Sequence, residues 1–496
     1  PMPTPHAGPF NPSAAAGLVT LRKVLDDAGY LVSRLGATGV IPSANVVLPK
    51  PEILVRLKGL GRFETLARLL TMGDAVARSE ADAALGPLGC GPLLACGLLH
   101  EEGDTVRGEA ALVPVAHLLM LRDLHGNMTG GKVRDDHVLA VGLASLAVNE
   151  LTPRRRIAKA LDIGTGQGIQ AIAASTHAAQ VVATDVNTRA LNFGAMNAAL
   201  AGRSNIEFRM GSFLEPVRGE EGTFDLIVSN PPFVIRPPDT VAGFSAGLSG
   251  DQAVEHLVRE TPKFLAEGGF AVFLGNWHHT GEDDWALRPR EWLRASGCDS
   301  WLIQFQVKTP KDYALHWIRE VTESEDADLS ELARWTDYYD SLSIKAISFG
   351  AVIMRKRTGD NWLRQQVIPK ELRRGDAGEQ VLRIFQNETL LHTRRPEDLV
   401  AMNLRATPGV ISNRSQALER DGWKTSGHEI GHRQGFVMPL AVDEPLCALL
   451  AACNGSKPVS AIMTAMATKA GTNQAFAMTQ GARVVVDLLR AGYLTA

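Results

Sequence analysis

The stretch LDIGTGQG, residues 161–168, decides the fold of this chain. It follows an apolar strand pattern and precedes a helical one. Its glycines allow the backbone to turn sharply and let a ligand approach the main chain closely. A strand, a glycine loop and a helix in this order predict the first βα unit of a parallel sheet with a nucleotide-like ligand at its edge.

Asp185, in the stretch ATDVN, ends the next predicted strand and lies 21 residues after Gly164. A carboxylate at this place can accept hydrogen bonds from both ribose hydroxyls of an adenosine moiety. The glycine loop and the acidic residue together fit dinucleotides and S-adenosylmethionine (SAM) equally well. These two features therefore leave the ligand class open.

The stretch SNPPF, residues 229–233, separates the two ligand classes. It ends the fourth predicted strand, where open α/β sheets place their ligands. Two prolines remove two N–H donors, which leaves carbonyl oxygens, the amide of Asn230 and the ring of Phe233. These groups can accept hydrogen bonds from a planar amino group and stack on it. A hydride-transfer enzyme has no evident need for this arrangement.

Alternating strand and helix patterns over residues 126–358 predict a seven-stranded, doubly wound α/β sheet. The predicted strands are Ile157–Ile163, Gln180–Asp185, Ile206–Met210, Phe224–Ser229, Phe270–Gly275, Trp301–Gln306 and Ser348–Met354. The predicted helices between them are Ile169–Ser175, Arg189–Leu200, Gln252–Leu265 and Pro289–Ala295. A long insertion over residues 307–347, with an acidic run, is expected to be solvated.

Two further regions flank this predicted domain. Residues 1–16 have the composition of a disordered lead, and residues 17–125 combine helical spacing with a hairpin pattern. Residues 359–496 mix short alternating segments with terminal helices. Both flanks are predicted to be winged-helix-like α+β modules.

Composition narrows the possible functions. With 496 residues, 45% of them hydrophobic, the chain should form two to four globular domains. The net charge of −3 excludes a strongly basic nucleic-acid binder. The five cysteines fit neither a disulfide framework nor a zinc motif. The sequence has no long apolar run and no signal-peptide pattern, so we expect a cytoplasmic protein without a membrane span. We also expect no bound metal.

Residues 157–277 resemble the class I SAM-dependent methyltransferases that carry an N-P-P-[FY] motif. The resemblance rests on LDIGTGQG, TDVN and SNPPF, in this order. The group includes amino-methyltransferases of adenine and guanine in nucleic acids and the release-factor glutamine methyltransferases. It implies a Rossmann-like fold, SAM as cofactor and S-adenosylhomocysteine as product.

The resemblance also implies roles for individual residues. The residues expected to bind SAM are Asp162, Gly164, Thr165, Gly166, Gly168, Asp185, Val186, Ser212, Phe213 and Asn230. Among these, the glycine loop would hold the methionine part, Asp185 the ribose and Phe213 the adenine. The catalytic group would be Asn230, Pro231, Pro232 and Phe233. Asn230 and the carbonyl of Pro231 would accept the N–H groups of the target nitrogen, and Phe233 would stack on its plane.

The predicted function is therefore SAM-dependent N-methylation of a planar amino nitrogen in a macromolecule. An exocyclic amino group of a nucleic-acid base, favoured in RNA, is the main interpretation, because Phe233 and the flanking modules suit it. The alternative is a glutamine amide in a translation release factor, which the near-neutral charge favours. A catalytically silent SAM-binding interaction module and a nicotinamide-dependent oxidoreductase are the rivals from other classes.

Other signals are expected to be structural. His428-Glu429-Ile430-Gly431-His432 matches the zinc-protease pattern, but its glycines favour a loop or short strand over the required helix. Asp239 and Asp251 are expected to solvate a loop and cap a helix. His278 and His279 are expected to be loop histidines.

Overall fold

The computed structural model describes residues 10–41, 47–129, 136–138, 140–238, 248–281, 284–322 and 329–496. They form two compact units. The first comprises the described residues of Pro1–Val148, Arg156–Arg294 and Val307–Phe349. The second comprises Asn149–Arg155, Ala295–Gln306 and Gly350–Ala496. Each unit therefore draws on separate stretches of sequence, and neither coincides with one of the three predicted regions.

The N-terminal part of the first unit is mainly helical, as its spacing predicts. A 3-10 helix (Pro12–Leu18) precedes α1 (Leu21–Asp27), α2 (Val32–Thr38), α3 (Lys50–Leu57), α4 (Arg62–Leu70), β1 (Val76–Ala77), α5 (Arg78–Leu85), α6 (Gly91–Ala95), β2 (Leu99–Glu102), β3 (Thr105–Gly108), β4 (Ala111–Val115), β5 (Leu118–Arg122) and α7 (Gly126–Thr129). The strands form a sheet of order β1-β3-β2 and a hairpin β4-β5. Winged-helix topology remains a prediction for this region.

The described end of the predicted disordered lead is ordered. Phe10 is only 5% exposed, and its ring centroid lies 5.3 Å from that of Phe193. Ala15 is buried on the 3-10 helix that follows. The prediction of disorder is therefore wrong for residues 10–16, because burial of these apolar side chains compensates for the entropy of ordering a proline-containing segment.

A single sheet of eight strands takes all but one of them from the region of the predicted α/β domain, residues 126–358. Its strands are β6 (Ile157–Ile163), β7 (Ala178–Asp185), β8 (Ile206–Met210), β9 (Phe224–Ser229), β10 (Leu265–His279), β11 (Cys298–Lys308), β12 (Ala346–Lys356) and β13 (Leu363–Val367), in the order β13-β11-β12-β10-β9-β6-β7-β8. Strands β6 to β10 run parallel. The seven predicted strands are all present, and β13 is the additional one.

Four helices follow strands of this sheet where the apolar spacing predicts them: α9 (Ile169–Ala174), α10 (Thr188–Leu200), α11 (Gln252–Glu260) and α12 (Leu287–Leu293). A further helix, α8 (Leu143–Leu151), precedes β6 and was not predicted. Asn187 begins α10 as its N-cap, since its side chain accepts a 2.8 Å hydrogen bond from the backbone N–H of Arg189. The insertion over residues 307–347, for which no secondary structure was predicted, contains two further helices, α13 (Pro310–Thr322) and α14 (Leu329–Ser341). Its acidic run lies outside the described residues.

The C-terminal part of the second unit is α+β. It contains β14 (Arg373–Arg374), α15 (Gly378–Thr393), α16 (Pro396–Val400), β15 (Arg405–Ala406), β16 (Val410–Glu419), β17 (Gly422–His432), β18 (Gly435–Phe436), β19 (Leu440–Ala441), α17 (Glu444–Ala452), α18 (Val459–Ala470), α19 (Gln474–Arg490) and β20 (Leu494–Thr495). Its core includes Leu404, Val485, Leu488 and Tyr493. The hairpin β16-β17 is largely exposed on both faces.

The sequence also led to expectations about the cysteines and about membrane-spanning segments. Four of the five cysteines are buried, where a thiol packs as a small apolar side chain. Within the described ranges, no helix combines the length and the apolar character that crossing a membrane requires.

Candidate functional site

Three polar residues meet at the carboxyl edge of the parallel sheet. Asp162 lies near the end of β6, Asp185 ends β7, and Asn230 directly follows β9. The register pairs Ile163 with Thr184 on one side and with Ser229 on the other, so the three strands end side by side. The hydroxyl of Ser229 donates a 2.7 Å hydrogen bond to the carbonyl of Ile163, which fixes this edge.

The glycine loop turns through left-handed backbone conformations. Gly164, Gly166 and Gly168 have φ values of 67°, 53° and 83°, which favour glycine over other residues. A Cβ at Gly164 or Gly166 would meet no atom within 4 Å, so open space lies above the loop. A Cβ at Gly168 would lie 3.1 Å from the Cα of Gly194. The first two glycines therefore leave room for a ligand, and the third permits close packing of α9 against α10.

Within the described residues, only one of the two carboxylate oxygens of Asp162 accepts hydrogen bonds. Its Oδ2 accepts hydrogen bonds from Thr165 Oγ1 at 2.6 Å and from the backbone N–H of Ala171 at 3.0 Å. Its Oδ1 is buried and has no hydrogen-bond partner among the described residues. Burial, opposed by these hydrogen bonds and assisted by the charge of Asp185, raises the pKa of Asp162 to about 7. The carboxylate therefore has capacity for a donor from a ligand.

Asp185 is held by two backbone donors. Its Oδ2 accepts from the N–H of Gly166 at 2.9 Å, and its Oδ1 accepts from the N–H of Asn187 at 2.9 Å. Burial raises the pKa of this carboxyl group, although the hydrogen bonds oppose the shift. The neighbouring Val186 is 67% exposed, so its side chain is free to cover a ligand.

Ser212 and Phe213 follow β8 at the same edge. Both are partly exposed. Phe213 adopts a left-handed φ of 46°, and its ring packs edge-on against His256 with centroids 4.9 Å apart. The backbone N–H of Gly211 donates to the carbonyl of Asp185 at 3.0 Å, which places this turn beside the end of β7.

Asn230 presents an oriented amide. Its Nδ2 donates a 3.1 Å hydrogen bond to Ser145 Oγ on α8, and its buried Oδ1 has no partner within the described part of the chain. Pro231 is buried, and Pro232 and Phe233 are partly exposed. The ring of Phe233 lies 5.7 Å from that of Phe349 and 6.4 Å from that of Trp317. The motif therefore combines a hydrogen-bond acceptor, Asn230 Oδ1, with the aromatic ring of Phe233.

The residues that hold the end of this motif were missed by the sequence analysis. Tyr313 Oη, on α13, accepts hydrogen bonds from the N–H of Ile235 at 3.1 Å and from Asn276 Nδ2 at 2.6 Å. Tyr339 Oη, on α14, donates to the carbonyl of Ile235 at 2.9 Å. The sequence does contain a pattern that indicates helices here, because aromatic residues recur four apart in the insertion, at 313 and 317 and at 335 and 339.

The histidines after the fifth strand do not lie in a loop. His278 and His279 are buried at the end of β10. Asp251 occupies the N-cap position of α11 without a side-chain capping bond, so its predicted capping role is wrong. Its carboxylate instead accepts two bonds from Arg288, at 2.9 and 2.6 Å. Burial works to raise the pKa of Asp251, but His278 and Arg288 hold it below its usual value. Asp239 lies outside the described residues.

The HEIGH segment lies on strand β17, as its glycines suggest. His428 Nε2 lies 2.8 Å from Ser412 Oγ, whereas His432 stacks on Tyr493 with ring centroids 4.4 Å apart. Burial lowers the pKa of His432 to about 4. The described residues contain no cluster of three ligating side chains suited to a metal ion. The histidines therefore have separate structural surroundings.

The geometry of the sheet edge and the order of the three sequence motifs are typical of one class of enzyme, and comparison with known proteins supports that class. Residues 143–284 match the family model described as the methyltransferase small domain. This match confirms the predicted class of the region as a class I, SAM-dependent methyltransferase domain. Residues 52–109 and 383–496 match two domains of unknown function, DUF7059 and DUF7782.

The more specific likeness is to glutamine methyltransferases. The chain is 37% identical over 135 residues to the release factor glutamine methyltransferase of Xylella fastidiosa, covering 25% of this chain and 47% of that protein. It is 31% identical over 181 residues to that of Neisseria gonorrhoeae, covering 32% and 62%. A ribosomal protein uL3 glutamine methyltransferase of Neisseria gonorrhoeae is 32% identical over 160 residues, covering 29% and 52%. The chain thus spans about half to three fifths of these curated relatives.

Solved structures that align with part of this chain are more distant in sequence. The YcgJ protein of Bacillus subtilis is 15% identical, with a TM-score of 0.29 and coverage of 44% of this chain and 98% of that chain. A geranyl diphosphate methyltransferase in complex with SAM is 17% identical, with a TM-score of 0.28 and coverage of 43% and 84%.

The predicted nucleic-acid substrate finds no support in these comparisons. The relatives named above act, by name, on glutamine in proteins of translation. Phe233 does not favour a base over an amide, because an aromatic ring can stack on any planar nitrogen group.

Proposed function

We propose that this protein is a SAM-dependent N-methyltransferase that modifies the side-chain amide of a glutamine in a translation release factor. The observation that carries the proposal is the buried Oδ1 of Asn230, which has no hydrogen-bond partner in the described ranges and lies at the sheet edge shared with Asp162 and Asp185. A glutamine amide presents a planar N–H donor that suits this acceptor. The names of the relatives support the same substrate.

The edge of the sheet fits SAM. The unused Oδ1 of Asp162 can accept from the amino group of the methionine part, and the open space above Gly164 and Gly166 accommodates its chain. Thr165 holds Asp162 in place. We assign the ribose to Asp185 and Val186 and the adenine to Ser212 and Phe213. When bound, SAM supplies an electrophilic methyl group.

The chain's own residues orient the target nitrogen. Asn230 Oδ1 and the carbonyl of Pro231 would accept its two N–H groups, and Phe233 would fix the plane of the amide. Two acceptors draw the hydrogens to one side, so that the nitrogen lone pair turns toward the cofactor face of the edge. Positioning of this kind can lower a barrier by about 7–11 kcal/mol. A strong base is unnecessary before transfer, since the nitrogen becomes acidic only as it becomes cationic.

The flanking modules fit a large partner. A free glutamine would need no more than the central domain, whereas this chain adds residues 17–125 and 359–496 to the predicted domain at 126–358. We propose that these regions contact the folded protein substrate. Their near-neutral composition suits recognition by shape over recognition of a phosphate backbone.

Labelled-methyl transfer tests the proposed function. The full-length protein should transfer label from SAM to a purified release factor, and mass spectrometry should locate one added methyl on a glutamine. Ribosomal protein uL3 and ribosomal RNA serve as competing substrates. Methylation of RNA, with no label in the release factor, would overturn the proposal.

A matched pair of variants tests the assigned motif. Asn230→Ala should reduce turnover at least about a hundredfold, as loss of a transition-state acceptor does, with SAM affinity unchanged within about threefold. Asn413→Ala, at an exposed asparagine of β16, should leave turnover at the wild-type level. Equal turnover in Asn230→Ala and Asn413→Ala would remove Asn230 from the mechanism.

A further inference from the structure

The two ends of the Asn230 amide are in different surroundings. Nδ2 donates to Ser145 Oγ at 3.1 Å, while Oδ1 is buried and unpartnered among the described residues. An asparagine amide can rotate by half a turn and exchange its donor end for its acceptor end. A rotated Asn230 would present N–H groups to the target amide, which also presents N–H groups. In the orientation that the structure shows, Ser145 Oγ engages Nδ2, so Oδ1 is left for the target nitrogen.

Ser145 is itself held in place from the glycine-loop side. The backbone carbonyl of Ser145 accepts a hydrogen bond from Nε2 of Gln170, a buried residue of α9. The next residue, Ala171, donates its backbone N–H to Asp162 Oδ2 at 3.0 Å. Three hydrogen bonds, linked through the covalent chain at Ser145 and at Gln170–Ala171, therefore join the proposed cofactor side of the edge to the proposed catalytic asparagine.

We infer that Ser145 is a positioning residue for methyl transfer, acting through Asn230. Its hydroxyl oxygen accepts from Nδ2 and holds the amide in the plane in which Oδ1 would face the target nitrogen. Donation from Nδ2 also polarises the amide and makes Oδ1 a stronger acceptor, as hydrogen bonds in series strengthen one another. The inference deepens the proposed function and rests on it. It assigns the orientation of the acceptor to a residue on α8, outside the motif at 229–233.

Two nearly isosteric variants isolate the hydroxyl group. Ser145→Thr keeps the hydroxyl and adds a methyl group, and Ser145→Val has almost the same shape without the hydroxyl. Ser145→Thr should retain turnover within about twofold. Ser145→Val should lower kcat by about 3- to 12-fold, the range expected for one neutral hydrogen bond. The SAM dissociation constant and the KM for the release factor should be unchanged within about twofold in both variants.

A double-mutant cycle tests whether Ser145 acts through Asn230. In an Asn230→Ala background, Ser145→Val should cause no further loss, because the group it orients is gone. Equal kcat for the Thr and Val variants, or additive losses in the cycle, would overturn the inference. Loss of SAM binding in Ser145→Val would also overturn it, since that result indicates a structural role.

The same data separate this inference from the proposed function. If the wild-type protein transfers no methyl group to the release factor, or if Asn230→Ala turns over normally, the proposed function fails. If Asn230→Ala is inactive while Ser145→Val matches Ser145→Thr, only the role of Ser145 fails.

Discussion

Asp162 illustrates how one buried carboxyl group can link ligand binding to pH. Its raised pKa of about 7 results from burial, partly offset by hydrogen bonds from Thr165 and Ala171 and increased by the charge of Asp185. If SAM donates to the unused Oδ1, binding favours the ionised form and lowers this pKa. Linkage then requires proton release on binding at a pH below 7, and tighter binding as the pH rises through 7.

We predict that the SAM dissociation constant falls between pH 5.5 and 7 by as much as about tenfold per pH unit. The SAM amino group is already protonated in this range, so its titration adds little. Isothermal titration calorimetry at pH 6, in buffers of different ionisation enthalpy, should show release of close to one proton. Asp162→Asn should reduce this release sharply, and an unchanged proton count in that variant would exclude the assignment.

At the scale of elements, the insertion between β11 and β12 supports the catalytic motif. Tyr313, from α13, provides an acceptor for two buried donors, the N–H of Ile235 and the Nδ2 of Asn276. Tyr339, from α14, supplies a donor to the carbonyl of Ile235. The two helices therefore satisfy the backbone polar groups just after the motif, where the described chain has no helix or regular strand.

Tyr313→Phe is predicted to destabilise the protein by about 1–3 kcal/mol, because it leaves buried donors without an acceptor. Denaturant unfolding should detect this loss, and the KM for the protein substrate should rise as the motif loosens. Tyr338→Phe is the matched control, since Tyr338 bonds the N–H of Gly250 at a partly exposed position. Water replaces that bond, so the control should lose under about 1 kcal/mol. Similar losses in the two variants would contradict this role of Tyr313.

Local patterns predicted the central elements well and the insertion poorly. Strands β6, β8 and β9 begin and end where the apolar runs predict, because turn residues bound them on both sides. The insertion was expected to be solvated because of its acidic run, and that run lies outside the described residues. Its aromatic spacing was the more informative signal, since side chains four apart share one helix face.

In the candidate site, as in the fold, the residues of local motifs were predicted and the partners distant in sequence were not. The three motifs predicted that Asp162, Asp185 and Asn230 share one sheet edge, and the structure brings them together. The partners Ser145 and Tyr313 were not predicted. Each lies far from Asn230 or Ile235 in sequence, and tertiary packing decides such contacts, which no local period encodes.

At the scale of the whole molecule, the second unit is assembled from separated stretches. Trp301, on β11, is fully buried, and its ring lies 5.2 Å from that of Phe436. Arg355, on β12, bonds Asp299 and the Thr389 hydroxyl, both at 2.5 Å. These stretches lie before residue 358, while Phe436 and Thr389 lie after it. The predicted boundary at 358 therefore cuts through a packed core.

A chain ending at Thr358 is accordingly predicted to misfold. Exposure of Trp301 alone removes about 2–3 kcal/mol of burial energy, and Arg355 loses its contact with Thr389. The truncated protein should be recovered mainly as aggregate, and any soluble fraction should lose the near-ultraviolet dichroism of buried tryptophan. The full-length chain should unfold cooperatively under the same conditions.

The exposed hairpin β16-β17 provides the control for truncation. Replacing residues 415–427 by Asn-Gly removes its outer part and closes the strands at the pair Arg414 and His428 with a favoured two-residue turn. This deletion removes mainly exposed residues, so the midpoint of unfolding should change by less than about 3 °C. A truncated chain that stays soluble and folded, or a shortened hairpin that unfolds the protein, would contradict the division into interleaved units. The expected pair of results would show that the second unit depends on packing between its separated stretches, and that the hairpin can be removed without loss of that core.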